Sequence, residues 1–259
     1  MKTMIRIDEI KEIYMLEEMN ELTAEQLKYA TEVKNTMQGV NQSTEPVVEE
    51  NQITGLKVSA DPPNISPEDR KRNVKRLAGA VSHALRTSGE IDVRAFGNAA
   101  IGKAAKSLSI AKDYIEDTHN LQLAYSPAFL TIQVENKNLT GLCFCAFAQE
   151  KTTNVNIDDV KSVLMVKADP KDIDPQERRL KVRKLAGAIT HAVEENGECV
   201  VRCFGNACIA KAGKALAIAR GFTATRGPDL YCWSKFIMTQ MGDNERTGLA
   251  FYVFTNSSI

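Results

Sequence analysis

The sequence predicts an α+β protein, an α/β sandwich built from two copies of one βαβαββ unit and preceded by a helical arm. Three observations predict it. Residues 56–120 lie over residues 164–228 at a constant offset of 108 without a gap, and 21 of the 35 positions across 77–111 are identical. Within each copy, short strand-like runs alternate with longer segments whose apolar residues recur at helical spacing. The period, on the order of 100 residues, far exceeds the 20–50-residue units of solenoids, so each copy is large enough for a fold of its own. This divides the chain into a helical extension (1–38), a linker (39–52), a first domain (53–150) and a second (160–259).

Each copy opens with a short strand, "ITGLKVSA" (53–60) or "KSVLMVKA" (161–168), stopped by an Asp-Pro pair. Ser66-Pro67 and Asp174-Pro175 then start a helix, since a side-chain oxygen caps it and proline fits its first position. Val74, Leu77, Ala78, Val81 and Leu85, matched by Val182, Leu185, Ala186, Ile189 and Val193, form the apolar stripe, and Gly89 or Gly197 ends the helix. "EIDVRAF" or "ECVVRCF" reads as a second strand. A Phe-Gly-Asn turn follows, with Asn98 or Asn206 expected as the cap of a second helix rich in small residues. Two apolar stretches close each unit, about 121–134 and 141–148, then about 229–240 and 248–255. The last strand of each unit is apolar on both faces, which predicts a central position in a sheet.

The arm "IRIDEIKEIYMLEEMNELTAEQLKYATEVKNTMQ" reads as one or two helices, with Thr23 and Gln26 as a capping box. Its apolar residues must bury against the body or a partner protein. "GVNQSTEPVVEENQ" (39–52) reads as a flexible connector.

Composition narrows the class. With 43% hydrophobic and 25% charged residues the chain has the mixture of a soluble globular protein. No apolar run approaches the ~20 residues of a membrane span, and the acidic N-terminus does not read as a signal peptide, so an intracellular, cytoplasmic location is expected. The net charge is +0, but residues 1–54 hold 5 basic against 11 acidic residues while 55–259 hold 28 against 22. The six cysteines form no C-x-x-C pair and show no zinc-type spacing, so buried thiols are expected, with neither metal nor cofactor. Cys143 and Cys145 lie on one face of one strand, a poor geometry for a disulfide.

The strings "LAGAV…AFGNAAIGKAAKSLSIAKDY" and "LAGAI…CFGNACIAKAGKALAIARGF" resemble the stage V sporulation protein S family, whose members share the Alba-like fold. The resemblance covers roughly 55–150 and 160–257 and is most specific in "GNAxIxKAxKxLxIA". It implies two Alba-like domains arranged as an intramolecular pseudo-dimer. It also implies a superfamily in which the Alba branch binds DNA and RNA through basic body residues and a hairpin between the third and fourth strands. The fusion, the longer segment before helix one and the N-terminal extension depart from the simple family member.

The candidate site is basic. "RKRNVKR" and "RRLKVRK" place Arg70, Lys71, Arg72, Lys75 and Arg76, and then Arg178, Arg179, Lys181, Arg183 and Lys184, on the first turns of equivalent helices. Cations there oppose the helix dipole, so helix stability does not select them. Lys103 with Lys106 and Lys211 with Lys214 lie at i,i+3 on the second helix, facing solvent or a phosphate. Together with free N–H groups at a helix N-terminus they form an expected contact surface for RNA or DNA backbone. The plainer reading is a solvated helix face balanced by Glu68, Asp69 and Glu177. Tyr125 and Trp233 fall at nearly equivalent places and could stack on bases or fill a core. His83 and His191 are equivalent but lack a neighbouring nucleophile, and no catalytic residue is assigned. Two functions remain open: a non-catalytic nucleic-acid-binding protein, and a structural subunit of a large intracellular assembly, cytoskeletal or ciliary, docked by its N-terminal helices.

Overall fold

The helices begin and end at the punctuation the sequence supplies. In the computed structural model, which describes residues 48–49, 55–119, 121–135, 137–150, 155–170, 172–241 and 244–255, Ser66 Oγ accepts the Asp69 N–H at 3.0 Å to open the first helix. Asp174 accepts the N–H groups of Gln176 and Glu177 to open its counterpart. Both helices stop at a glycine with φ 77°, Gly89 and Gly197, a left-handed conformation that costs other residues energy. The helices expected over 1–38 lie outside the described residues.

The elements run β1 (Val48–Glu49), β2 (Leu56–Val58), α1 (Pro67–Ser88), β3 (Glu90–Ala95), α2 (Asn98–His119), β4 (Leu121–Val134) and β5 (Lys137–Glu150). The second copy follows as β6 (Val163–Val166), α3 (Pro175–Asn196), β7 (Glu198–Cys203), α4 (Asn206–Ala224), β8 (Leu230–Met241) and β9 (Asn244–Thr255). The fold is the expected α+β arrangement of two βαβαββ units. The final hairpins are longer than the apolar runs because the mostly polar residues 137–140 and the polar residues 244–247 continue the ladder. Within the stretch read as a connector, Val48–Glu49 pairs in parallel with Ile132–Gln133.

All the strands among the described residues join one sheet in the order β2-β3-β5-β4-β8-β9-β7-β6, with β1 on β4. The doubly apolar strands β5 and β9 are central in their halves, as their composition requires. The halves meet where β4 and β8 pair antiparallel at a single position, Tyr125 opposite Cys232. Phe129 pairs with Leu142 and Phe236 with Leu249, so beyond the second helix the repeats correspond at an offset of 107 and not 108. Tyr125 is therefore the counterpart of Cys232, its own partner. A residue that pairs with its own counterpart lies on a twofold axis, and the two copies form a pseudo-dimer within one chain.

The helices form one layer, α1 against α2, α2 against α4, and α4 against α3. Leu249, Phe251 and Val253 enter the main core with them, as do Leu142, Phe144 and Ala146 of the first half. Alternate residues of β9, Ala250, Tyr252 and Phe254, belong to a second cluster closed by Ile157 and Val160 of the chain joining the halves. Fully buried side chains such as Phe144, Phe251 and Leu216 each contribute about 1.5–3 kcal/mol. Small residues bring α2 and α4 together. Ala104, Ala105 and Ala212 are wholly buried, and a Cβ on Gly102 would stand 2.8 Å from Asn206 Oδ1.

Candidate nucleic-acid interface

At the centre of the helix layer, α2 and α4 run antiparallel across the pseudo-twofold axis. Gly97 (φ 83°) and Gly205 (φ 85°) make the turns into them. Neither helix carries an acidic residue in its first turn, and no side chain caps α4. Asn98 and Asn206, expected as caps, instead stand as the first helical residues, and each side chain serves the opposite helix. Asn206 Oδ1 accepts from Lys106 Nζ at 2.8 Å, and Asn98 Oδ1 accepts from Lys214 Nζ at 3.2 Å. The glycine before each asparagine holds the cap position, which moves the amide side chain out of reach of its own N–H groups and toward its neighbour.

The lysine pairs thereby divide into two kinds. Lys103 Nζ contacts Asp61 at 2.6 Å and Lys211 Nζ contacts Asp169 at 2.6 Å, each fixing the segment after the first strand of its unit to the second helix. Burial alone would raise the Asp61 pKa, but hydrogen bonds from Lys103 and Asn73 and their charged surroundings hold it below the usual value. Lys106 and Lys214 are half-buried, and burial pushes both ammonium pKa values down; Arg178 adds to the effect at Lys214. Asn98 and Lys106 are two helical turns apart, so the two lysine–asparagine contacts lie about 12 Å apart along the helix pair.

The basic clusters flank this centre on the outer helices. Arg70, Lys71, Arg72, Lys75 and Arg76 are all exposed on α1. Arg72 pairs with Asp69 at 3.0 Å and Arg70 donates to Pro63 O at 2.8 Å, while Lys71, Lys75 and Arg76 have no ion pair among the described residues. On α3, Arg178 and Arg179 are exposed, Lys181 pairs with Glu177 at 3.3 Å, and Arg183 and Lys184 are half-buried. Leu180, the counterpart of Arg72, is 48% exposed, so the second cluster carries an apolar side chain where the first has a cation.

Other sequence candidates fare differently. Tyr125 and Trp233 are buried to 0% and 3% exposure, and the shifted offset removes their equivalence, so both fill cores and neither offers a face to a base. The Lys112 ammonium covers the Trp233 ring at 4.6 Å. His83 is exposed while His191 is buried beside Glu195, so the two histidines share no common environment. The described residues at the ends of the two hairpins, Glu135 and Lys137 in the first and Glu245 and Arg246 in the second, carry no excess of positive charge. Residue spacing gives no sign of one further group: Asp92 on β3 comes beside Cys143 and Cys145 on β5, all three ligand atoms within 4.8 Å of one another. Strand pairing alone creates it.

Two βαβαββ units around a shared axis, with their second helices packed at its centre, define an Alba-like pseudo-dimer. The sequence model of the Stage V sporulation protein S (SpoVS) family matches residues 69–149 and again 178–256. The chain belongs to that family and holds two of its units in tandem. No helix among the described residues is long and apolar enough to cross a membrane.

Proposed function

We propose that this protein is a non-catalytic binder of RNA or DNA backbone, with its contact surface on the helix layer. The supporting observation is the pair of crossed contacts at the axis. Lys106 and Lys214 are partly desolvated cations, hydrogen-bonded to neutral amides and each set at the N-terminus of the opposite helix. Free N–H groups, the positive helix end and an ammonium together suit a phosphate oxygen. The ~12 Å between the two positions matches about three to four phosphates of one strand at ~3.4 Å each along a duplex axis. Lys71, Lys75 and Arg76 on one side, and Arg178 and Arg179 on the other, extend the surface. Lys103 and Lys211, neutralised by Asp61 and Asp169, hold its frame together.

Affinity for mixed-sequence oligonucleotides, single- and double-stranded, measured across a salt series tests this reading. Lys106→Gln with Lys214→Gln, and separately Lys71, Lys75 and Arg76→Gln, are expected to weaken binding equally for all sequences. Removing one phosphate-binding cation should flatten the salt slope by about 0.9 on duplex or about 0.7 on single strands. Unchanged affinity and slope in both variants would count against it. The second reading, a structural subunit of a larger assembly, draws on the exposed Leu180 and on Met238, which is 64% exposed. It expects nuclease-resistant protein partners that no longer bind when residues 1–54 are removed.

A further inference from the structure

We propose that Asp92, Cys143 and Cys145 form a metal site for a thiophilic cation of the zinc(II) class, present in the first repeat alone. Cys143 and Cys145 project from the same face of β5, and Asp92 sits directly opposite Cys145 on β3. Their sulfur atoms are 3.9 Å apart. Two Zn–S bonds of ~2.3 Å at a tetrahedral angle span about 3.8 Å, so the thiols already stand at the bite a tetrahedral ion requires. A disulfide suits them less. Residues two apart on a strand have Cα atoms about 6.6–6.8 Å apart, the outer limit for a bridge.

The carboxylate supplies the third ligand from the neighbouring strand. A side-chain rotation of Asp92 brings its oxygen from within 4.8 Å of both sulfurs to bonding distance of a shared ion, with the fourth position open to water. Charge balances as well. Two thiolates and a carboxylate around a divalent cation leave one net negative charge, and Arg94, paired with Cys143 in the ladder, supplies a positive one. Arg94 is itself held in place, donating to Gly55 O at 3.1 Å, and Gly55 rests against Asp92 so closely that a Cβ there would be 2.5 Å from Asp92 O.

The second repeat lacks the arrangement. Val200, Ala250 and Tyr252 occupy the counterparts of Asp92, Cys143 and Cys145, and they pack in an apolar cluster under Ile157 and Val160. One half of the sheet thus closes this face with hydrophobic side chains, and the other presents three ligands there. The remaining cysteines, Cys199, Cys203, Cys208 and Cys232, are buried and distributed through the main core.

Titration of the reduced full-length protein with cadmium(II), followed by its thiolate-to-cadmium charge-transfer absorption, tests the site. One equivalent is expected to saturate the band, zinc(II) to compete for the same site, and Cys145→Ser to remove about half of the intensity. The Cys143→Ser, Cys145→Ser double variant should lose the band entirely, and Asp92→Asn should keep it while binding at least about tenfold more weakly. No band in the wild type at one equivalent, or a band surviving in the double variant, would overturn the proposal. Alkylation of the wild type with and without zinc(II), mapped by mass spectrometry, avoids any folding defect of the variants. Protection of Cys145 by the metal is expected, and equal labelling of Cys145 in both samples would also overturn the proposal.

Discussion

The ammonium of Lys106 crosses the pseudo-twofold axis to the Asn206 side chain at 2.8 Å, and Lys214 returns the contact to Asn98 at 3.2 Å. The two contacts tie the repeats together through the same groups proposed to hold phosphate. Stability and binding can therefore be separated by one change of atom. Asn98→Asp with Asn206→Asp puts a carboxylate at each helix N-terminus beside a lysine, which should stabilise the fold by about 0.3–1 kcal/mol per site. The same carboxylates repel phosphate, so oligonucleotide affinity should fall at least tenfold while the melting temperature rises. Thermal melts and binding isotherms on the one variant check both signs.

Close packing of the hairpins on the second strand should be intolerant of even a methyl group. A Cβ on Gly141 would stand 2.5 Å from Ala95 O, and one on Gly248 would stand 2.6 Å from Cys203 O. Both obstacles are backbone carbonyls at the C-terminal ends of β3 and β7, and the rings of Phe96 and Phe204 stand equally close. Gly248→Ala is expected to cost about 1–3 kcal/mol, read as a lower midpoint of denaturant unfolding.

The ion pair between Lys103 and Asp61 should leave a mark on the acid limb of stability. With its pKa below the unfolded value, Asp61 contributes stability that is fully present above about pH 4 and is lost as pH falls through the folded value. Lys103→Met leaves that carboxylate without its cation and should destabilise the protein by about 1.5–3 kcal/mol at pH 7. Once Asp61 is protonated in both proteins the deficit should shrink. Unfolding curves at pH 7 and at a series of pH values descending below 4 give the comparison.

The single tryptophan makes a spectroscopic control. Trp233 is 3% exposed, lies under Lys112 and packs on Tyr252 at a ring separation of 5.0 Å. Nucleic acid binding on the helix layer should leave its emission maximum unchanged. A marked quench that tracks oligonucleotide occupancy would mean that bases reach the aromatic cluster.

Much of the fold is legible in the sequence because its signals are local. Ser66-Pro67, Asp174-Pro175, Gly89 and Gly197 act on the few residues around them, and they begin and end helices where their chemistry requires. The apolar pattern on both faces of β5 and β9 likewise predicts burial within a sheet. The site is less legible. Lys103 and Lys106 look alike as an i,i+3 pair on one helix, yet one meets an aspartate of its own repeat and the other an asparagine of the other repeat. The asparagines read as caps for the same reason: capping is a rule about neighbours in sequence, and the competing lysine arrives from a distant segment.

The duplication, the βαβαββ order of each copy, the limits of the helices and the family can all be read along the chain, because repeats, caps and apolar periodicity are written in consecutive residues. Three outcomes cannot. The copies share one sheet through Tyr125 and Cys232, one lysine of each pair is neutralised while the other crosses the axis, and Asp92 joins two cysteines. Each depends on which segments meet across the axis and the sheet ladder in three dimensions, where a one-residue change of offset exchanges the facing side chains.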